Sequence, residues 1–271
     1  MDLEKLREHA RNIRMNIIRE VSNAQSGHPG GSLSLADILT VLYFEVMDIN
    51  KDNAGSLERD RFVLSKGHAS PALYAVFAEK GIIPFEELTT FRMLGSKLQG
   101  HPDINSLDGI DMSTGSLGQG LSAAVGMAMA NKLSGNDHRI YCACGDGECE
   151  EGQIWEAAMA AAHYKLDNLC AVLDYNGLLI DGNIQDVIGP APFDVKFQAF
   201  GWHVIKIDGH DFEAIKEAFD EARTVKGKPT MIIAKTVKGK GVSYMENVAD
   251  WHGKAPNAEL TVVALKDLEG K

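Results

Sequence analysis

The sequence predicts an α/β fold in which a parallel sheet is covered by helices on both faces. Short apolar runs typical of strands alternate with longer amphipathic stretches typical of helices. The second half of the chain twice follows the order strand, helix, strand, which is the pattern of parallel strands joined by crossover helices. Glycine-rich loops separate the elements, and in open α/β sheets ligands bind outside the carboxyl ends of the strands.

Apolar periodicity predicts the individual elements in order along the chain. Helices are expected near residues 3–22, 33–47, 70–80, 85–94, 119–133, 152–165 and 211–225. Strands are expected at Arg61–Leu64, Arg139–Ala143, Leu169–Leu173, His203–Ile207 and Thr230–Ala234. The sequence contains no linker rich in Pro, Ser or Gly and no internal repeat. We therefore expect one domain over residues 1–271, with a short charged tail from about residue 257.

Composition limits the expected partners and compartment. The 271 residues include 27 Lys and Arg against 38 Asp and Glu, which gives a formal net charge of −11. Such a chain is a poor binder of nucleic acid or of an anionic membrane surface. The charged N-terminus lacks the apolar core of a signal peptide, and no run reaches the roughly 18 apolar residues of a membrane span. Four cysteines without a CxxC pair favour reduced thiols, so we expect a cytoplasmic protein.

Two motifs point to a divalent-cation site. The apolar run Ile140–Ala143 is followed by the turn GDG, which contains Asp146, and the run Leu169–Leu173 is followed by DYN, which ends in Asn176. If the two runs are neighbouring parallel strands, Asp146 and Asn176 emerge at the same edge of the sheet. Carboxylate and amide oxygens suit Mg²⁺ or Ca²⁺, and the glycines let the backbone approach a phosphate closely. Either motif alone is more often a turn, but their joint placement favours a metal site.

The GDG turn, followed by about two dozen residues and a DxN element, resembles the signature of thiamine-diphosphate enzymes. In that family the aspartate, the asparagine and a main-chain carbonyl two residues later hold Mg²⁺, which binds the cofactor diphosphate. The resemblance therefore implies the thiamine-diphosphate-binding fold. It also implies Asp146, Asn176 and the Leu178 carbonyl oxygen as metal ligands, with Gly147 against the cofactor. Mg²⁺ is the expected ion, and Ca²⁺ or another divalent ion is the alternative.

Four of the nine histidines lie in loops that contain glycine or proline, namely His28, His68, His101 and His252. Imidazole suits proton transfer near neutral pH and hydrogen bonding to substrate hydroxyls. The surrounding sequences SGHPGGSLS, FVLSKGHASPALYA, GHPD and WHGKAP, together with STGSLGQGLSAAVGMA, resemble the transketolase family. The resemblance keeps the same order from about residue 10 to 256. It implies transfer of a two-carbon ketol unit from a ketose phosphate to an aldose phosphate, as in the pentose phosphate pathway.

The resemblance also implies a role for each loop. His28 and His101 are expected to contact substrate near the reacting carbonyl. His68 and His252 are expected to contact the cofactor diphosphate, and His252 is also expected among the catalytic histidines. The remaining expected cofactor contacts are Gly115, Ser116 and Leu117 in the loop that holds the cofactor, Ile180 beside the thiazolium ring, and Lys238 in TVKGKG.

The resemblance covers only the diphosphate-binding part of transketolases. A second α/β domain, which in the family holds the aminopyrimidine ring and supplies an activating glutamate, has no counterpart after WHGKAP. We therefore expect the N-terminal subunit of a split transketolase, active only with a C-terminal partner subunit in an α2β2 heterotetramer. Glu151 resembles the family glutamate that communicates across the dimer interface, although an acidic residue favoured by a helix N-terminus is an equal alternative.

Other interpretations remain open. The sequence Gly118-x-Gly120-x-x-Ala123 fits a dinucleotide-binding fingerprint that opens a helix. The preceding SLDGIDMSTGS is too polar for the strand that this fingerprint requires, which argues against an NAD-dependent oxidoreductase. No GxxxxGK[ST] motif occurs, which argues against a nucleotide triphosphatase. A non-catalytic subunit that keeps the fold, or a thiamine-diphosphate subunit for other substrates, also fits the sequence.

Overall fold

The computed structural model describes residues 1–270. Its strands are β1 (Arg61–Leu64), β2 (Ile140–Gly145), β3 (Leu169–Tyr175), β4 (Leu178–Leu179), β5 (Gly182–Asn183), β6 (His203–Asp208) and β7 (Thr230–Lys235). Its α-helices are α1 (Leu3–Ala24), α2 (Pro29–Val41), α3 (Ser70–Glu79), α4 (Gln119–Ser134), α5 (Gly152–His163), α6 (Ile184–Val187), α7 (Phe193–Ala199), α8 (Phe212–Thr224) and α9 (Ala258–Glu269). A π-helical turn spans Leu42–Val46, and 3₁₀ turns span Gly67–Ala69, Phe85–Thr90, Gly147–Glu150 and Ala249–Trp251.

Five of the strands form one sheet in the order β1-β2-β3-β7-β6, and all neighbouring pairs are parallel. Strands β2 and β3 are adjacent, with Gly145 opposite Asp174 at their carboxyl ends. β4 and β5 form a separate two-stranded antiparallel hairpin just after β3. The topology therefore brings the segments that follow β2 and β3 to the same edge of the main sheet.

Helices cover both faces of this sheet, which confirms the predicted fold class. Alternate side chains along each strand point to opposite faces. Tyr141 and Val172 belong to the apolar core beneath α1, α2, α3, α8 and α9, whereas Cys142 and Ala171 belong to the core beneath α4, α5 and α7. Strands buried on both sides are nearly continuous apolar runs, as parallel sheets require. All five predicted sheet strands are present, extended by at most two residues at an end.

Two predicted helices differ from the structure. The helix expected at 33–47 begins earlier, at Pro29, and ends at Val41 before the π-helical turn. Proline is favoured in the first turn of a helix because it lacks the N–H that would be unsatisfied there, so the sequence PGG opens the helix instead of belonging to a loop. The helix expected at 85–94 is wrong, since it is a 3₁₀ turn over Phe85–Thr90 followed by Arg92 at a φ of 59°.

The segment from residue 257 onward, expected as a charged tail, forms the helix α9. Asn257 caps it by accepting a hydrogen bond from the Leu260 N–H at 2.9 Å, and Ala264 and Leu268 are buried against the core. Helix α9 packs on α1. No helix among residues 1–270 has both the length and the apolar character that crossing a bilayer requires.

Candidate functional site

A cavity of about 270 Å³ lies at the carboxyl edge of β2 and β3. Asp146 follows β2, and Asn176 follows β3, so the parallel pairing places both in its wall. Both side chains are buried, with exposures of 3% and 8%. The Asp146 carboxylate accepts hydrogen bonds from the Gly147 N–H at 2.8 Å and the Gly177 N–H at 2.5 Å. The two residues that the sequence placed at one sheet edge therefore line the same cavity.

The donor set in this wall fits a hard divalent cation. Burial raises the pKa of Asp146 to about 6, the nearby Asp174 carboxylate raises it further, and the Gly177 N–H opposes the shift. A positive ion beside this carboxylate would offset the cost of its burial. The Leu178 carbonyl, in the same wall, already faces a cation because it accepts a hydrogen bond from Lys238 Nζ at 2.9 Å.

The predicted ligands are one carboxylate, one carboxamide and one main-chain carbonyl. Among residues 1–270, no group of three or more His, Cys, Asp or Glu side chains is arranged to hold a metal ion. The predicted set is of a different kind, since it includes a single acidic side chain. Mg²⁺ commonly takes only one or two carboxylates from a protein and completes its shell with phosphate oxygens and water. The composition of the site therefore suits a cation shared with a phosphate.

Glycines keep the cavity open. A Cβ atom at Gly31 would lie 3.3 Å from Lys66 Nζ and 3.4 Å from His68 Nε2. A Cβ atom at Gly147 would lie 3.2 Å from the Cβ atom of Leu179. Both distances are tighter than ordinary van der Waals contact. Backbone without side chains at these points leaves room for a ligand to approach closely.

Three of the four loop histidines form a cluster beside the cavity. The ring centroids of His28, His68 and His252 lie 5.1 to 5.5 Å apart. Burial, together with neighbouring cations and histidines, lowers the pKa of His28 to about 4 and that of His252 to about 3, and it lowers the pKa of His68 strongly. These rings are therefore neutral near pH 7, where they serve as hydrogen-bonding groups without charge.

His101 lies next to this cluster, against the loop that leads into α4. A Cβ atom at Gly115 would lie 3.0 Å from the His101 ring, and Gly115 has a φ of 135°, which favours glycine. Burial and then Arg92 lower the pKa of His101. Thus Gly115 and His101 pack together, as two parts of one wall.

The other predicted site residues divide between the cavity and its surroundings. His68, Leu117, Gly147, Leu178, Ile180, Lys238 and His252 line the cavity with Asp146 and Asn176, and so does Glu151. Ile180 is 64% exposed at the rim, whereas Lys238 is buried. His28, His101, Gly115 and Ser116 lie outside this lining, and Ser116 is exposed. The structure thus gathers the predicted cofactor contacts and sets the predicted substrate contacts beside them.

Sequence analysis missed the buried groups that hold these loops. Asp174 accepts hydrogen bonds from Ser34 Oγ at 2.6 Å, from Thr236 Oγ1 and from Lys66 Nζ, and Lys66 also donates to the Gly31 carbonyl at 2.9 Å. The pair joins the loop after β1 to the end of β3 and to α2. A charged residue directly at the end of an apolar strand was the available signal.

Glu148 is the second missed group. Its carboxylate accepts hydrogen bonds from Ser65 Oγ at 2.5 Å, from the Gly118 N–H at 2.8 Å and from the Gly145 N–H at 3.0 Å. These donors belong to three different loops at the edge of the sheet. Glu148 is 2% exposed, so a single buried carboxylate holds the GDG turn, the loop after β1 and the start of α4 together.

Comparison with known proteins identifies the family. A family model described as "Transketolase, thiamine diphosphate binding domain" matches residues 6–270. The 6-deoxy-6-sulfo-D-fructose transketolase subunit SqwG of Clostridium sp. (strain MSTE9) is 47% identical and covers 97% of this chain and 96% of its own length. One subunit of the apulose-4-phosphate transketolase of Phocaeicola vulgatus is 43% identical and covers 99% and 95%. A transketolase structure from Campylobacter jejuni is 39% identical with a TM-score of 0.93 and covers 99% of this chain.

The fold, the site and these matches define an α/β protein of the thiamine-diphosphate-binding class. The chain belongs to the transketolase family and corresponds to its thiamine diphosphate binding domain. It spans nearly the full length of the two relatives that are named as subunits, but only 43% of the Campylobacter jejuni transketolase chain. This length relation agrees with the split-subunit organisation predicted from the sequence.

Proposed function

We propose that this chain is the diphosphate-binding subunit of a two-subunit transketolase that requires thiamine diphosphate and a divalent cation, most simply Mg²⁺. The observation that supports it is the convergence of Asp146, Asn176 and the Leu178 carbonyl on one cavity at the edge of β2 and β3. These three groups would hold the cation. Gly147, His68, Lys238 and His252, in the same wall, would contact the diphosphate.

The remaining cofactor contacts follow the shape of the cavity. Leu117 and Ile180 are apolar groups of its lining, where they would pack against the thiazolium ring. Gly115 and Ser116 precede Leu117 in the same loop, which Glu148 anchors through Gly118. When bound, thiamine diphosphate supplies the electron sink for carbon–carbon cleavage beside a carbonyl. The chain itself would bind and orient the cofactor and exclude water from it.

His28, His101 and His252 would contact the sugar. Neutral imidazoles can donate a hydrogen bond to a substrate hydroxyl or carbonyl oxygen and can exchange a proton with it. The named relatives act on a sulfonated ketose and on a sugar phosphate, so we infer that the substrates are anionic sugars, with ketose and aldose phosphates as the first pair to test. The four buried free cysteines support a reducing compartment such as the cytoplasm.

The partner would be a separate subunit that carries the pyrimidine-binding domain, and the assembly would be an α2β2 heterotetramer. The rim of the cavity includes the exposed side chains of Ile180 and Val187, which a partner would cover. Glu151, also at this rim, would then lie at the interface. An NAD-dependent oxidoreductase is not supported, because no strand forms between β1 and α4 in the described chain to lead into the Gly118-x-Gly120 fingerprint.

The cation site can be tested by calorimetric titration of the purified chain with thiamine diphosphate, with and without Mg²⁺. We expect binding that requires Mg²⁺ and that Asp146→Asn reduces by at least about tenfold, because the variant removes the only carboxylate among the proposed ligands. The matched control is Asp181→Asn, since Asp181 lines the same cavity but is exposed. Equal affinities for the wild type and Asp146→Asn would contradict the proposed site.

The subunit proposal needs a separate experiment. The chain is assayed for ketol transfer alone and after co-purification with the partner subunit from its source. We expect transfer only in the two-subunit sample, because the domain that holds the aminopyrimidine ring lies on the partner. Robust transfer by the isolated chain would overturn the subunit proposal while leaving the cation site intact.

A further inference from the structure

The side chain next to His252 is a pure hydrogen-bond donor. Lys238 is 1% exposed, and its Nζ atom lies 2.8 Å from His252 Nδ1 and 2.9 Å from the Leu178 carbonyl oxygen. An ammonium group has three N–H donors and no acceptor. The Nδ1 atom of His252 must therefore accept this hydrogen bond. In a neutral imidazole the proton then resides on Nε2.

His28 has a similar neighbour at longer range. Arg92 Nη2 lies 3.5 Å from His28 Nδ1, and Arg92 Nη1 donates to Ser26 Oγ at 2.9 Å. A guanidinium group also only donates hydrogen bonds. The distance of 3.5 Å is at the limit for such a bond, so the preference for a proton on Nε2 is weaker in His28 than in His252.

The surroundings keep both rings neutral. The ring centroids of His28, His68 and His252 lie within 5.5 Å of one another, and the cations of Lys66, Lys238 and Arg92 surround them. A proton added to any of these rings would place another positive charge among existing ones. Positive charge at this edge is therefore supplied by lysine and arginine, and the histidines contribute hydrogen bonds.

We propose that Lys238 is a positioning residue that holds His252 as the neutral tautomer protonated on Nε2, and that Arg92 does the same, more weakly, for His28. The Nε2 atom of each ring is then a hydrogen-bond donor and not a base. This inference deepens the proposed function and rests on it for its consequence. A neutral donor can hold a phosphate or carbonyl oxygen without adding charge, whereas an unprotonated Nε2 would repel that oxygen.

The tautomers can be observed directly by long-range ¹H–¹⁵N correlation spectra of the ¹⁵N-labelled full chain at neutral pH. Each tautomer has its own pattern, because a protonated ring nitrogen and an unprotonated one differ widely in ¹⁵N shift. We expect a single pattern with the proton on Nε2 for His252, and a dominant but not exclusive one for His28. His163, which is exposed on α5, serves as an internal reference for an unconstrained ring.

Substitutions test whether Lys238 is the cause. Lys238→Met removes the donor, and we expect the His252 pattern to lose the shift of an accepted hydrogen bond at Nδ1 and to approach the averaged pattern of His163. Lys238→Arg keeps a donor and should restore the single pattern. Lys235→Met is the matched control, because Lys235 lies nearby at the end of β7, is exposed, and contacts the Tyr175 ring instead of a histidine.

The wild-type spectrum needs no substitution, so the test holds even if a variant folds poorly. A His252 proton on Nδ1, an averaged His252 pattern in the wild type, or an unchanged His252 pattern in folded Lys238→Met would each overturn the inference. Arg92→Met should change only the His28 pattern. None of these results depends on cofactor binding, so a failure here leaves the cation site standing. A failure of the Asp146→Asn titration likewise leaves the tautomer result unchanged.

Discussion

Two buried carboxyl groups in this protein have opposite surroundings. Asp174, at the end of β3, is fully buried and accepts hydrogen bonds from Lys66, Ser34 and Thr236. Glu20, on α1, is 1% exposed, and neither of its oxygens has a hydrogen-bond partner within the described chain. Although burial raises the pKa of Asp174, Lys66 and the two hydroxyl donors lower it below its ordinary value, whereas burial alone raises the pKa of Glu20 well above its own.

The comparison shows that partners, and not burial, decide the state of a carboxyl group. Asp174 belongs to the network that positions the candidate site, where an ionised group offsets its desolvation because it holds three segments together. Glu20 borders a separate cavity of about 360 Å³ between α1, the 3₁₀ turn at Phe85–Thr90 and α9. Nearby Asn16 Nδ2 is also buried without a partner in the described chain. Burial there is uncompensated.

The largest effect is expected from breaking the compensated pair. Asp174→Asn leaves the buried ammonium of Lys66 without its counter-charge, and removing one member of a buried ion pair costs about 3–5 kcal/mol. We expect the free energy of unfolding, measured by urea denaturation, to fall by that amount. If the paired charge is the cause, the double variant Lys66→Met/Asp174→Leu should recover much of the loss. A loss below about 1 kcal/mol in Asp174→Asn would contradict the assigned role of the pair.

The opposite sign is expected at Glu20. Glu20→Leu replaces an unpartnered buried carboxyl by an apolar side chain of similar size, and an unsatisfied buried polar group costs about 1–3 kcal/mol. We therefore expect the variant to be more stable than the wild type by that amount in the same denaturation experiment at pH 7. Glu217→Leu is the matched control on the exposed side of α8, and it should change stability by no more than about 0.5 kcal/mol. A destabilised Glu20→Leu variant would show that Glu20 has a partner in solution.

The smallest effect sharpens the comparison through pH. Because the folded-state pKa of Glu20 is raised above its ordinary value of 4.5, the folded chain keeps this proton when the unfolded chain has lost it. The corresponding stability is fully present below about pH 4.5 and is lost as the pH rises through the folded-state pKa. Glu20→Gln cannot ionise, so its stability should decline less than that of the wild type between about pH 5 and pH 8. Parallel curves for the two proteins would indicate an ordinary pKa for Glu20.

Sequence periodicity was sufficient for the sheet but not for every helix. Each strand is a short apolar run between polar or glycine-rich segments, so local composition alone indicates it. The start of α2 was misplaced because Pro29, Gly30 and Gly31 have the composition of a loop, although proline suits a first helical turn. The 3₁₀ turn at Phe85–Thr90 has the apolar spacing of a helix. Its termination near Arg92 depends on packing against the loop that contains Gly100.

The sequence by itself determined the chemical groups of the site and their order, because the GDG turn and the DYN segment each follow a recognisable strand. Tertiary structure alone decided which groups support them. Lys66 and Asp174 are 108 positions apart, and the donors to Glu148 come from three loops. It also decided which carboxyl is ionised and which imidazole nitrogen holds a proton. The physical reason is that desolvation and hydrogen-bond partners set the free energy of each protonation state, and both arise only when segments distant in the chain pack together.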